Sequence, residues 1–259
     1  MKMNSATLPH RVFSLLRAKQ FLVFYAVGLY VLDLAPGLLA AWVAGHRPLA
    51  TILGSDTSLI GAAIRARHAS GSLAVAALVL VLALGLSAFF RAGYLRSLVG
   101  KLHVGPVDGA QFLSMAGLTL LMLLVDWAAG AGYAWSGAGA ARSTLVEVAL
   151  LTANLVVLYA DYVIVVSGLR LGRAIVQSLR TVRANPALSV GVLLALVLVS
   201  WYFIAAIRPE IRGPASSFAP LLVVWALVLG SLSFVVDVVL IMVYIDSIER
   251  GRIVNARRE

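Results

Sequence analysis

Hydrophobic residues in this chain follow neither the two-residue period of a half-buried strand nor the 3.6-residue period of a surface helix; they come in long unbroken runs. Six runs stand out, at roughly Phe21–Ala44, Leu73–Phe90, Phe112–Ala134, Leu145–Ser167, Leu188–Ile207 and Phe218–Ile245. Each has 18 residues or more. An α-helix rising about 1.5 Å per residue crosses about 30 Å of hydrocarbon in about 20 residues. The runs therefore predict an all-α fold, a polytopic membrane helical bundle of six transmembrane helices, with residues 1–259 forming a single integral membrane domain.

The segments between the runs carry their own periodicity. Residues 6–20 set Val12, Phe13, Leu15 and Leu16 among Arg11, Arg17 and Lys19, the pattern of a short interfacial helix leading into the first span. That span contains Pro36, which removes a helical hydrogen bond and predicts a kink. Segment 45–72 predicts a short helix on the outer surface, starting near Gly54–Thr57. Phe90–His103 spaces Phe90, Tyr94, Leu95, Leu98 and Leu102 as a helical stripe, with Arg91 and Lys101 placed off it. Leu169–Arg183 puts Leu171, Ile175, Leu179 and Val182 on one face and Arg170, Arg173, Gln177 and Arg180 on the other. Both read as amphipathic elbow helices in the cytoplasmic interface, closed by Gly105-Pro106 and Asn185-Pro186. Small residues four apart, at Ala83/Ser87, Gly168/Gly172 and Gly191/Ala195, offer places for close helix packing.

Composition sharpens this picture. Mean hydropathy is +0.97 and only 12% of residues are charged, and no tract separates off a soluble domain. The first apolar run exceeds the 7–15 residues of a signal-peptide core and is expected to act as an uncleaved signal anchor. Cysteine is absent, which excludes disulfides, thiolate metal sites and cysteine nucleophiles. The net charge of +10 is unevenly placed. With the N-terminus inside, fifteen of the 21 lysines and arginines fall in cytoplasmic segments and six outside. The positive-inside rule then sets both termini in the cytoplasm, as six spans require; a plasma membrane is the expected location. Arg91, Arg96, Lys101, Arg170, Arg173, Arg180 and Arg183 are the expected contacts to anionic phospholipid headgroups at about 1 kcal/mol each. Nucleic acid is not an expected partner; a membrane-protein partner is.

Acidic residues inside the runs are the unusual chemistry. Asp33, Asp126, Asp161 and Asp237 lie at predicted hydrocarbon depth, with Glu147 and Asp246 near span ends. An ionised carboxylate at a span centre costs about 2.5–3.5 kcal/mol on insertion scales. The runs hold no lysine or arginine to pair with them, although Arg170 or Arg173 could reach Asp161 from the interface. Two readings follow: a polar or proton-coupled site for a substrate or cation, or interhelical hydrogen bonds that fix the packing. His10, His46, His68 and His103 all fall in loops or termini without metal-binding spacing, so neither metal nor cofactor is expected. G-x-S-x-G fails because Ala134 stands where its first glycine belongs, and Gly100-Lys101 lacks the rest of a phosphate-binding loop. The chain is not expected to be an enzyme.

Three stretches carry a resemblance. Gly93-Tyr94-Leu95 through Gly105-Pro106-Val107-Asp108 to Phe112 is the first. Gly168-Leu169 through Ala174, Ser178, Arg183 and Asn185 is the second, and Tyr244-Ile245-Asp246 with Glu249, Arg250 and Gly251 the third. Together they resemble a broad group of bacterial six-span membrane proteins of unassigned function, similar to the membrane-anchor domain of some glycerophosphodiester phosphodiesterases. The resemblance implies a six-span bundle with cytoplasmic elbows; it brings no phosphodiesterase activity, since that group's catalytic barrel is a separate domain. Asp33, Asp126 and Asp237 are not part of the shared pattern. The expected role is a non-enzymatic scaffold or membrane component of a larger assembly. The alternative is a small transporter or lipid-handling permease using the intramembrane carboxylates.

Overall fold

A computed structural model describes residues 8–29, 31, 73–100, 109–136, 140–207 and 215–250, and among these every regular element is a helix. Helix α1 (Leu8–Ala18) bends by 85° into α2 (Leu22–Leu29). Then follow α3 (Leu73–Leu98), α4 (Gly109–Ser136), α5 (Ala140–Val157), α6 (Ala160–Ser167), α7 (Leu171–Ala184), α8 (Pro186–Ile207) and α9 (Ala215–Glu249). Thr144–Ser167 and Ala226–Glu249, each 24 residues with mean hydropathies of 2.0 and 2.5, are long and apolar enough to cross a membrane. Counting the bent pairs α1–α2 and α7–α8 as single spans raises that number to four. Leu82, Phe89, Leu113, Leu145, Leu198 and Val224 stand exposed on the outside of the bundle, an apolar surface suited to lipid. Asp33, Pro36, Lys101 and the segment 45–72 lie outside the described residues.

The short helix α6 is the hub. Six of its eight residues are buried, and it packs against α3, α4, α7 and α9. Its start is a break in the long apolar stretch: Tyr159 leaves helical geometry at φ −107°, ψ 1°. The Tyr159 N–H then donates to Ser178 Oγ of α7 at 3.0 Å, and its hydroxyl meets Ser189 Oγ of α8 at 3.1 Å. Gly168 ends α6 in the left-handed region (φ 65°), its N–H returning to Ile164 O at 3.0 Å, a conformation that glycine adopts without a Cβ penalty. Replacing Ser178 by alanine orphans a buried backbone donor. We expect a loss of about 1–3 kcal/mol, read as a lower thermal midpoint of the detergent-purified chain.

Three expectations about the elements change. The first elbow is not a separate helix: α3 runs unbroken through Phe90 to Leu98, because no breaker intervenes before Gly100 at φ 75°. Tyr94, Leu95 and Leu98 are buried in the bundle core. Where the second elbow was expected stands the helix α7, which meets α8 at 104°, and the face it turns inward is not the apolar stripe. Ala174, Gln177, Ser178, Thr181 and Val182 turn inward, while Leu171, Ile175 and Leu179 are half-buried. Ser178 is wanted there because it accepts the Tyr159 N–H at the start of α6. Finally, a Cβ at Gly172 or Gly191 would meet nothing within 4 Å, so neither glycine makes a close helix contact; the close approach is at Gly230, packed on Val27 of α2.

Further polar contacts stitch one end of the bundle. Ser167 and Tyr244 share a 2.6 Å hydrogen bond, and Asn185 Nδ2 donates to Ser247 Oγ at 2.7 Å. Arg11 of α1 reaches Glu249 at 3.0 Å and Asp246 at 3.4 Å, and Arg250 donates to Asp246 at 2.9 Å. These bonds tie the interfacial-type helix α1 to the end of α9.

Candidate functional site

Arg91 lies one turn before Tyr94 on α3, on the face that carries Ala88, Ala92, Leu95 and Leu98 into the core. That orientation brings its guanidinium between two carboxylates from different helices. Nη1 and Nη2 donate to Asp237 Oδ2 and Oδ1 of α9 at 2.8 and 2.7 Å, the bidentate fork that guanidinium geometry favours. Nη2 and Nε donate to Asp161 Oδ2 at 2.8 and 3.3 Å.

The carboxylates have further donors. Tyr162 places its hydroxyl 2.5 Å from Asp237 Oδ1, and its backbone N–H donates to Asp161 Oδ1 at 2.8 Å. Asp161 sits in the first turn of α6, where free N–H groups and the helix dipole favour negative charge. The break at Tyr159 therefore does two jobs: it starts a new helix end, and it sets that end beside Asp161. The Arg91 Cζ also lies 5.6 Å from the centre of the Tyr94 ring, which stacks in turn on Tyr25. Side-chain exposure is 27% for Arg91, 16% for Asp161 and 3% for Asp237. A cavity of about 290 Å³ opens on the triad, with Asn154 and Ser233 among its polar lining and Leu118, Met122, Leu193 and Leu196 among its apolar lining.

Comparison with protein-family models, with curated proteins and with solved structures yields no match. The site must be read from its own chemistry. The three stretches that carry the family resemblance have architectural roles where they are described. Gly168 caps α6, Ala174 is fully buried, Ser178 and Asn185 bridge helices, and Asp246, Glu249 and Arg250 belong to the Arg11 cluster. No member of the ion triad belongs to these stretches, although Tyr94 of the first lies beside Arg91.

Of the expected site residues, Asp161 and Asp237 come together, although 76 positions separate them in sequence. Asp126 falls on α4, where its side chain is outside the described residues, as Asp33 is altogether. Glu147 is exposed; Asp246 is buried in the Arg11 cluster. The assignment of Arg91 to lipid headgroups is corrected: its guanidinium is held by two aspartates inside the bundle. The expectation that no lysine or arginine within the spans could pair with these acids fails for the same reason, and Asp161 takes Arg91 rather than Arg170 or Arg173. Arg96 is half-buried, and Arg170, Arg173, Arg180 and Arg183 stand exposed along α7. Ser233 was not singled out. Arg91 was recoverable from sequence: relative to it, Tyr94, Leu95 and Leu98 stand at i+3, i+4 and i+7, so it sits on the stripe rather than off it.

Among the described residues no group of three His, Cys, Asp or Glu side chains is arranged to hold a metal ion. Chemically, two carboxylates and one guanidinium face a largely apolar cavity, so the site holds one more acid than base.

Proposed function

We propose that this chain is a six-span plasma-membrane protein with both termini in the cytoplasm, acting as a small permease whose proton- or cation-coupled station is Asp161–Arg91–Asp237. The lengths of α3 and α4, at 26 and 28 residues, support two spans beyond the four already counted. The observation that carries the permease reading is the triad's place on a cavity wall. A contact made only to hold helices together has no need of about 290 Å³ of open space beside it. An intramembrane ionisable cluster that faces such a space is the usual mark of a substrate or ion path.

The test is accumulation. Proteoliposomes given a proton gradient and a mixture of cellular small molecules are analysed by mass spectrometry. We expect at least one compound to be enriched in a gradient-dependent way, with the enrichment falling at least about tenfold, a barrier change of about 1.4 kcal/mol, in a folded Asp161→Asn variant. Identical contents with and without the protein would sink the reading.

A second reading, a non-enzymatic scaffold or component of a larger assembly, is favoured by a separate observation. Arg170, Arg173, Arg180 and Arg183 of α7 are all exposed, a basic strip open to anionic headgroups or a protein partner. On that reading, changing the four to glutamine should strip co-purifying anionic lipid or partner while leaving thermal stability within about 0.5 kcal/mol.

A further inference from the structure

The triad sets two carboxylates against one guanidinium, so with all three ionised it carries one negative charge that its own cation does not balance. The hydrogen-bonding inventory leans the same way. A guanidinium has five N–H donors, and Nε, Nη1 and Nη2 of Arg91 are all turned on the two aspartates. The Tyr162 hydroxyl and backbone N–H are also spent on them. Asn154, on the cavity wall, directs its amide N–H to Leu150 O at 2.9 Å. Acceptors are therefore left over and donors are scarce, which favours a cation over an anion. A second feature is independent of charge. Tyr162 is the aromatic residue of the lining, and an aromatic ring beside carboxylates suits an organic cation. Most of the remaining wall, including Leu118, Met122, Leu193 and Leu196, is apolar, and the volume is far larger than a bare ion requires.

We propose that this cavity binds a small organic monocation, a protonated primary amine with a compact apolar body, in exchange for one proton held by the Asp161–Asp237 pair. The proposal rests on the permease reading and names its substrate class. The exchange balances: the carboxylic O–H bond breaks, its proton leaves to water, and the incoming ammonium takes the vacated carboxylate, so the site's net charge is unchanged. Proton and amine compete for one valence and exclude each other.

The experiment uses the full chain in lipid nanodiscs in weak buffer, with a pH indicator and titration calorimetry. The probes are benzylammonium, benzyl alcohol and benzoate, which share one body and differ in the head. We expect benzylammonium alone to bind, releasing about one proton per amine, with affinity rising about tenfold per pH unit while the site is protonated. Asp161→Asn should weaken binding at least tenfold and abolish proton release. Should that variant fail to fold, Leu193→Trp provides the check by filling the cavity: benzylammonium binding is lost while methylammonium still releases a proton. Preferential binding of benzoate, amine binding without proton release, or release driven by sodium ion and not by benzylammonium would each overturn the proposal. The permease reading fails separately. Amine binding with proton release but no accumulation in proteoliposomes keeps the cation site and removes transport, whereas accumulation without amine binding does the reverse.

Discussion

Replacing Arg91 by alanine is expected to cost about 3–5 kcal/mol of folding stability, the usual penalty for removing one partner of a buried ion pair. Two carboxylates depend on it, one of them 3% exposed. Without the guanidinium, Asp237 keeps the Tyr162 hydroxyl and Asp161 keeps one backbone N–H, too little to hold even the one negative charge left when the pair carries a proton, in a bundle whose neighbouring walls are leucine, valine and methionine. Lysine at position 91 restores the charge but not the fork, so Arg91→Lys should fall between wild type and alanine. The decisive comparison is the triple variant Arg91→Met, Asp161→Asn, Asp237→Asn. Removing every charge together removes the desolvation cost with the attraction, and it should recover most of the stability lost in Arg91→Ala. Thermal unfolding of the four proteins in one detergent makes the measurement. An Arg91→Ala protein as stable as wild type would mean that the triad contributes little to the fold. A triple variant that is stable yet inactive would separate the site's chemistry from its architecture, which a single aspartate substitution cannot do.

How much of this was legible in the sequence divides by physical cause. The apolar runs give the helices, because lipid and chain impose one period-free pattern, and the ends of α4, α8 and α9 fall within a few residues of the runs at Phe112–Ala134, Leu188–Ile207 and Phe218–Ile245. The triad was half legible. Asp161 and Asp237 announce themselves as acids among apolar neighbours, whereas their pairing joins α6 to α9, and nothing local encodes that. Arg91 was hidden by a boundary: ending the second span at Phe90 assigns the next residue to the headgroups, although the helix continues to Leu98. The inward face of α7 was not legible for a related reason. Hydrophobicity predicts which side of a helix leaves water, but in a bundle flanked by lipid the inward side is the one with polar partners to satisfy, so Gln177 and Ser178 go in and Val176 stays 53% exposed. Spacing of small residues proved equally weak as a guide, since glycines with open space around them carry the same four-residue signature as one in tight contact.

That tight contact sets the second large effect. A Cβ built on Gly230 would lie 2.6 Å from Val27 Cα and 3.0 Å from Val27 N, so backbone, not a yielding side-chain tip, stands in the way. Ala226, one turn earlier on α9, is also buried, which lets α2 lie close along α9. Gly230→Val forces the two helices apart, and we expect a loss of about 1–3 kcal/mol, the range for overpacking a well-filled interior. Alanine at the same position should cost less, because only one added carbon must be accommodated. Gly191→Ala supplies the control on α8: its Cβ meets nothing within 4 Å, and a helical glycine replaced by alanine gains about 0.5–1 kcal/mol. Thermal unfolding should therefore move down for Gly230→Val and level or up for Gly191→Ala. Equal responses at the two positions would mean that α2 does not rest on α9 as described. The consequence reaches the site as well. Asp237 is two turns beyond Gly230 on the same helix, so displacing α9 at Val27 moves one carboxylate of the triad relative to Arg91 and Asp161. Gly230→Val should thus weaken proton and amine exchange beyond what its stability loss explains, whereas Ser178→Ala, which leaves α9 in place, should not change the proton count per amine.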